Sequence, residues 1–173
     1  LEIQEEASNT QKLITEITDN IPGVVFQIHI GLDGTPKFTF ISNGISHFFG
    51  VDRESVLKNP DTISNAIFEE DKEAVRKSIK ESSKTLQPWV QEFRIIDKEN
   101  ELHWVKGSAF PQRQKDGSVI MNGYYDDITQ RKSMEYALIE SEEYFRAVYE
   151  NAGVGIASSG KDGKVIKVNS TFC

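Results

Sequence analysis

The stretch Gly123-Tyr124-Tyr125-Asp126-Asp127-Ile128-Thr129-Gln130-Arg131-Lys132 decides the fold. Aromatic and β-branched residues from Ser118 to Asp127 read as a strand, and the strand ends on an acidic, then apolar, then hydroxyl step. Asp127 and Thr129 are side chains that accept backbone N–H groups where a helix begins. Beyond them, Met134, Leu138, Ser141, Phe145, Val148 and Ala152 alternate at spacings of four and three, the seam of a coiled coil. A helix from Thr129 to about Glu150 is about 33 Å long at 1.5 Å per residue. A sheet therefore hands over to a long helix, and the chain is built to pass something on.

Working backwards, Trp89–Ile96 and Leu102–Pro111 read as two further strands, with turns at Glu99-Asn100 and Asp116-Gly117. Near the start, Val24–Ile30 and Lys37–Ile41 form a hairpin about Asp33-Gly34. Between the two groups lie short helices around Ile45–Phe49, Arg53–Leu57 and Thr62–Ile67. A longer helix runs from near Glu70 to about Ser83 and buries Val75, Ile79 and Ala74. Its acidic start suits a helix N-terminus. Two strands, several helices, then three strands predict an α+β domain: a five-stranded antiparallel sheet with helices on one face.

The last three strands are apolar on both faces. One face carries Trp89, Phe93, Ile95, Val105, Gly107, Ala109, Met121, Gly123 and Tyr125. The other carries Val90, Ile96, Leu102, Trp104, Ile120 and Tyr124, too much apolar area to stand uncovered. The N-terminal helix or a partner subunit is expected to cover it. Residues 1–20 carry their own seam, Ile3, Ala7, Thr10, Ile14 and Ile17, continued by Ile21 and closed by Pro22-Gly23.

An internal repeat organises the chain. Ile17 to Val24 returns as Val148 to Gly155, Asp33-Gly34 returns as Asp162-Gly163, and Ser42-Asn43 is echoed by Asn169-Ser170. The expected layout is an N-terminal amphipathic helix over 1–20, a domain over 21–128, a linker helix over 129–150, and the start of a second copy over 151–173. Two strands cannot enclose a core, so the tail is expected to be marginal by itself. The chain reads as a piece of a longer protein.

With 173 residues, 38% hydrophobic and 27% charged, this is an ordinary globular composition. The net charge of −7, without a basic cluster, argues against nucleic-acid and anionic-membrane binding. The single cysteine, Cys173, excludes a disulfide framework and suits a reducing cytoplasm. No apolar run reaches the roughly 20 residues of a membrane span, which leaves an anchor elsewhere in a parent chain open.

From Ile17 to Glu140 the sequence resembles a bacterial PAS sensor domain with its C-terminal motif. The residues that carry the likeness are Pro22-Gly23-Val24, Ser42-Asn43, Phe49-Gly50-Val51, Asp71, Glu92-x-Arg94, Leu102-x-Trp104-Val105, Asp116-Gly117, Gly123 and Asp127-Ile128-Thr129-x-Arg131-Lys132. Two steps depart from the family pattern. Phe68-Glu69-Glu70-Asp71 replaces a His-Pro-x-Asp step, and Glu99-Asn100 replaces an Asp-Gly turn, where Asn tolerates the left-handed conformation. The resemblance implies that the face with Gly107 and Gly123 turns onto the helices and forms a ligand cavity. It also implies that Asp127 pairs with Arg131 and, with Thr129, couples the sheet to the helix.

Pocket candidates are Phe26, Ile28, Phe40, Ile45, Phe48, Leu57, Ile63, Ile67, Val75, Ile79, Gln91, Phe93, Val105, Gly107, Met121, Gly123 and Tyr125. A filled core and a small cavity over the two glycines both stay open. No cofactor is identified, and an apolar small ligand is the class such a lining would take. A photo-adduct flavin is disfavoured because the mid-domain helices hold no cysteine. A haem is disfavoured because Glu70–Ser83 holds no histidine to serve as axial ligand. The three histidines stand at no metal-pair spacing to one another. No nucleophile elbow, phosphate-binding glycine loop, phosphoacceptor histidine or cyclase signature occurs.

These readings predict a non-catalytic sensory and dimerisation module, cytoplasmic, acting on an effector in the same parent chain. The resemblance points to a histidine kinase, with a diguanylate cyclase as alternative. A ligand-free docking domain is a second reading, and a stand-alone α+β enzyme a third. Ile14, Ile17, Met134, Leu138 and Phe145 are the residues expected to pair in a parallel homodimer.

Overall fold

The computed structural model describes residues 12–171, in two compact units that meet between Thr129 and Gln130. Ile3, Ala7 and Thr10 of the N-terminal seam, and Cys173, lie outside the described residues. The first unit opens with a helix over residues 12–19 (α1). Asp19 at its end accepts the Asn43 backbone N–H at 3.0 Å and its Nδ2–H at 2.7 Å, fixing the helix end to the chain that follows the first hairpin.

Next come β1 (Val24–Ile30) and β2 (Pro36–Ile41), then α2 (Ile45–Phe48), α3 (Arg53–Lys58), α4 (Asp61–Ala66) and α5 (Glu69–Thr85). The strands β3 (Trp89–Ile96), β4 (Leu102–Arg113) and β5 (Val119–Asp127) complete the unit. The five strands form one sheet in the order β2-β1-β5-β4-β3, with every pair antiparallel. This is the expected α+β architecture. The first and last strands of the domain pair at its centre, so β5 feels both halves of the sheet before the chain leaves it.

Alternation sets the buried face. Val24, Phe26, Ile28 and Ile30 of β1 are buried, with the residues between them half-exposed. Phe93 and Ile95, Val105 and Ala109, and Met121 and Tyr125 continue that face. Ile45, Val56, Ile63, Ile67 and Val75 reach down from the helices to close one core against it. The turn at Glu99-Asn100 has Asn100 at φ 64°, the left-handed conformation expected there.

Two details of side-chain placement differ from the alternation. In β2, the register passes from Phe26↔Ile41 and Gln27↔Phe40 to Ile28↔Phe38, so Thr39 is an extra residue and the strand carries a bulge. A single inserted residue inverts the parity. Phe38 and Ile41 are therefore the buried residues of β2, while Phe40 is only half-buried, with the Arg53 guanidinium 5.8 Å over its ring. On α5, Ala74 is exposed instead of buried, and the inward row is Val75, with Ser78, Ile79 and Ser82.

α6 (Thr129–Glu150), which belongs to the second unit from Gln130 onward, runs unbroken through Ser141, and none of its residues is buried. A short antiparallel hairpin follows, β6 (Ala157–Ser159) with β7 (Val165–Val168). Its bonding copies the first hairpin. Gly160 N–H donates to Lys164 O at 2.8 Å and Gly163 N–H to Gly160 O at 2.9 Å, as Gly31 does to Thr35 O and Gly34 to Gly31 O. Asn169 Oδ1 accepts the Ile156 N–H at 2.8 Å, as Ser42 Oγ accepts that of Val25 at 3.0 Å. Among the described residues no helix is long and apolar enough to cross a membrane.

Candidate functional site

The helix-covered face of the sheet gathers its aromatic side chains around Tyr125. Phe26 stacks on that ring at 4.3 Å between centroids, Phe49 lies at 5.2 Å, and Phe93 and Trp89 meet it edge-on at 6.1 and 6.4 Å. Tyr125 is buried, and burial holds its phenol well above its usual pKa, so the ring is a neutral packing element. Of the pocket candidates, Phe26, Ile28, Ile45, Ile63, Ile67, Val75, Phe93, Val105, Met121 and Tyr125 join one buried cluster. Phe48, Leu57 and Ile79 pack against its rim. Gln91 is half-buried on the same face, its Nε2–H donating to the Glu92 carbonyl at 3.1 Å.

The glycines of this face are occupied ground. A Cβ built on Gly107 would run into the Trp89 indole and lie 3.3 Å from Tyr125 Cε1. One on Gly123 would lie 2.6 Å from Ala109 Cβ and 2.7 Å from Phe26 Cζ. The room that two absent side chains leave is taken by Trp89 and Phe26. The indole is held there by its Nε1–H, which donates to Ser78 Oγ of α5 at 2.8 Å.

Sequence reasoning passed over Phe49 and Phe38. Phe49 stands four residues after Ile45, and that helical spacing already marked it as the buried one of the Phe48-Phe49 pair. Phe38 was hidden by the bulge.

The strand–helix joint is built on Trp104. Its carbonyl accepts the Ile128 N–H at 2.9 Å, and its N–H donates to Thr129 Oγ1 at 2.9 Å. Thr129 thus spends its hydroxyl on β4, beyond the cap expected of it, and Asp127 Oδ1 takes the Thr129 N–H at 2.8 Å. Arg131 Nη1 pairs with Glu135 one turn along, at 2.9 Å. Across β4 from the joint, Arg94 grips Asp71. Its Nε lies 2.9 Å from Oδ2 and its Nη2 2.6 Å from Oδ1, with a second pair to Glu70 at 3.1 Å. The Arg94 hydrogen bonds hold the Asp71 carboxyl below its ordinary pKa against the opposing push of burial.

Folding brings His103 to the β3–β4 turn, with its Nε2 3.0 Å from Asp97 Oδ2. Asp97, Glu101 and His103 place their ligand atoms within 4.8 Å of one another. Sequence spacing gave no hint of this group. The turn accounts for it: Asp97 Oδ1 accepts the Glu101 N–H at 2.8 Å, which also lowers the Asp97 pKa.

The residues expected at a dimer seam, Ile14, Ile17, Met134, Leu138 and Phe145, are all exposed, as are Val90, Leu102, Phe110 and Tyr124 on the other face of the sheet.

Comparison with known proteins agrees with this geometry. The family model for the PAS fold matches residues 38–125, half of the chain. Sporulation kinase E of Bacillus subtilis (strain 168) is 42% identical over 60 residues, 32% of this chain and 8% of the kinase. A domain of the putative light and redox sensing histidine kinase from Haloarcula marismortui superposes with a TM-score of 0.54 at 21% identity, over 68% of this chain and 99% of that one. The N-terminal domain of a diguanylate cyclase with PAS/PAC sensor from Marinobacter aquaeolei gives 0.53 at 18%, over 62% and 98%. With a five-stranded antiparallel sheet in the order 2-1-5-4-3, helices on one face and this match across half its length, the chain belongs to the PAS fold family.

Proposed function

We propose that this chain is the sensory and dimerisation module of a multidomain signalling protein and relays a cue from its sheet through α6 to an effector in the same parent chain. One observation carries the reading: both peptide groups of Trp104, inside β4, are bonded to Ile128 and Thr129 at the base of α6. A shift of the sheet at Trp104 then moves the first residue of the helix, because a buried or half-buried hydrogen bond is costly to leave unmade. Asp127 and Arg131, assigned to the coupling by the family resemblance, flank that point.

The dimer part of the proposal rests on α6. A 22-residue helix with Met134, Leu138, Phe145 and Val148 exposed along one stripe leaves that stripe in water unless a second helix covers it. A parallel partner α6 is the occupant that fits a four–three seam, and Ile14 and Ile17 of α1 are exposed apolar residues that a partner subunit would also cover. The matched turn and strand bonds of β6–β7 support the further proposal that 151–173 begins a second PAS domain. The identity with a sporulation kinase favours a histidine kinase as effector, and the alternative is a diguanylate cyclase.

A second reading, a ligand-free docking domain, is favoured by the filled ground over Gly107 and Gly123. Native mass spectrometry of the freshly purified chain separates the two: a retained small molecule supports ligand sensing, and a bare chain supports docking. The relay is tested in the parent protein. Asp127→Ala with Arg131→Ala, and separately Thr129→Val, should alter effector output and its response to the cue. Unchanged output in both would sink the relay.

A further inference from the structure

Arg94 and Trp104 stand opposite each other in the β3–β4 ladder, and each has peptide groups taken by the entry to a different helix. On the edge strand β3, Arg94 O accepts the Phe68 N–H at 2.9 Å, and the Arg94 N–H donates to Asp71 Oδ2 at 2.8 Å. Phe68 is the residue before α5, and Asp71 lies in its first turn. On β4, just past the last pair with β5, Trp104 O accepts the Ile128 N–H, and the Trp104 N–H donates to Thr129 Oγ1. Ile128 is the residue before α6, and Thr129 its first. The same device occurs twice. The residue before the helix donates to a strand carbonyl, and a side-chain oxygen of the first turn receives the strand N–H.

Side chains join the two devices. The Arg94 guanidinium holds both carboxylate oxygens of Asp71 and lies over two rings, Phe68 at 4.3 Å and Trp104 at 5.8 Å. A planar guanidinium that is forked onto a carboxylate and stacked on aromatic faces has little freedom to reorient without breaking several contacts at once. The middle of α5 reaches the core, where Val75 is buried and Ser78 holds the Trp89 indole.

We infer that Asp71 and Arg94 are positioning residues that make the base of α5 and the base of α6 one mechanical unit. A displacement of α5 over the core then reaches Thr129 through Arg94 and Trp104. This deepens the relay proposed above by naming where the cue enters the sheet, and it rests on α6 being the output helix. The chain of packed and hydrogen-bonded groups from Asp71 to Thr129 is continuous, and such coupling must run equally in both directions.

That reciprocity supplies the test, by amide hydrogen exchange on the full 173-residue chain. Asp71→Asn keeps the shape and removes the charge. It should speed exchange at Phe68 and Arg94 and also, about threefold to tenfold, at Ile128, with Ile28 and Met121 unchanged. Thr129→Val, acting from the other end, should speed exchange at Phe68 by a similar factor, and Thr129→Ser should restore it. If each variant loosens only its own end, the two fastenings are independent and the inference is overturned. If Asp71→Asn accelerates every amide alike, Thr129→Val decides alone. Exchange is read inside this chain, so its failure is distinct from a failure of effector output in the parent.

Discussion

Replacing Gly107 by alanine tests whether the inner face is packed or hollow. The added methyl group would overlap Cη2 and Cζ3 at the edge of the Trp89 indole, so the indole must move. Moving it breaks the Nε1–H bond to Ser78 Oγ, worth about 1 kcal/mol, and disturbs its edge-on contact with Tyr125. Overpacking a close-packed core costs about 1–3 kcal/mol by itself, so the expected loss is about 2–4 kcal/mol. Equilibrium urea unfolding followed by far-ultraviolet circular dichroism reads this as a shift of midpoint at constant slope. Trp89→Leu vacates the space. In that background Gly107→Ala should cost less, with a coupling of about 1 kcal/mol or more in the double-mutant cycle. The reasoning is refuted if Gly107→Ala alone stays within about 0.5 kcal/mol of the parent chain, the range of an uneventful surface change. The ground over Gly107 would then be open, and the cavity reading would replace the filled one.

Asp71→Asn should cost about 2 kcal/mol at neutral pH, the order of a hydrogen bond to a charged group. Because the Arg94 hydrogen bonds depress the folded-state pKa of Asp71, that contribution is present above the unfolded value near 3.8 and is lost as the pH falls through the folded one. The stability gap between parent and variant, measured by urea unfolding across pH, should therefore narrow only below about 3.8 and be flat from there to neutrality. Phe145→Asp places a charge in the α6 seam and should turn a dimer into a monomer in sedimentation velocity, while Ser141→Leu should tighten it by tenfold or more, about 1.4 kcal/mol. Asn169→Ala removes a buried side chain that accepts from Ile156 N–H and donates to the Tyr149 and Val154 carbonyls. Those three bonds are worth about 3 kcal/mol together, more than a two-stranded hairpin can spare. Limited proteolysis should then cut between 154 and 170 and leave the first unit intact.

The sheet was legible in the sequence because each strand announces itself locally. Val24–Ile30 alternates, Trp89–Ile96 and Val119–Asp127 are β-branched and aromatic, and Asp33-Gly34 and Asp116-Gly117 mark turns. Even Asn100 could be read, since the left-handed conformation favours Asn where Gly is absent. The bulge at Thr39 could not, because it arises from the pairing of β2 with β1 and leaves no trace in β2 alone. It decides that Phe38 and Ile41, in place of Phe40, reach the core. Asp97 and His103 were equally invisible as a pair, since their meeting depends on how the β3–β4 turn closes. At the joint, Asp127 and Thr129 were legible as helix-start residues. What Thr129 bonds to was not, because its partner Trp104 is 25 residues away in sequence.

The glycines show most clearly where composition stops informing. A small residue on an inward face is compatible with a void or with a large neighbour pressed against it, and only the neighbour's rotamer distinguishes the two. Trp89 lies on the strand beside Gly107, and Phe26 opposes Gly123 from β1. The edge of the indole and the tip of the phenyl ring occupy the space over the glycines, so the glycines serve close approach of aromatic side chains. A filled interior of this kind is stiff, because dense packing leaves no slack to absorb a displacement. Ser78, midway along α5, holds the Trp89 indole, and Asp71 in the first turn of the same helix holds Arg94. A movement of α5 is therefore resisted at two points along the helix by groups that belong to the sheet. It must either be prevented or be shared with β3 and β4, and Trp104, which fastens Thr129, belongs to β4.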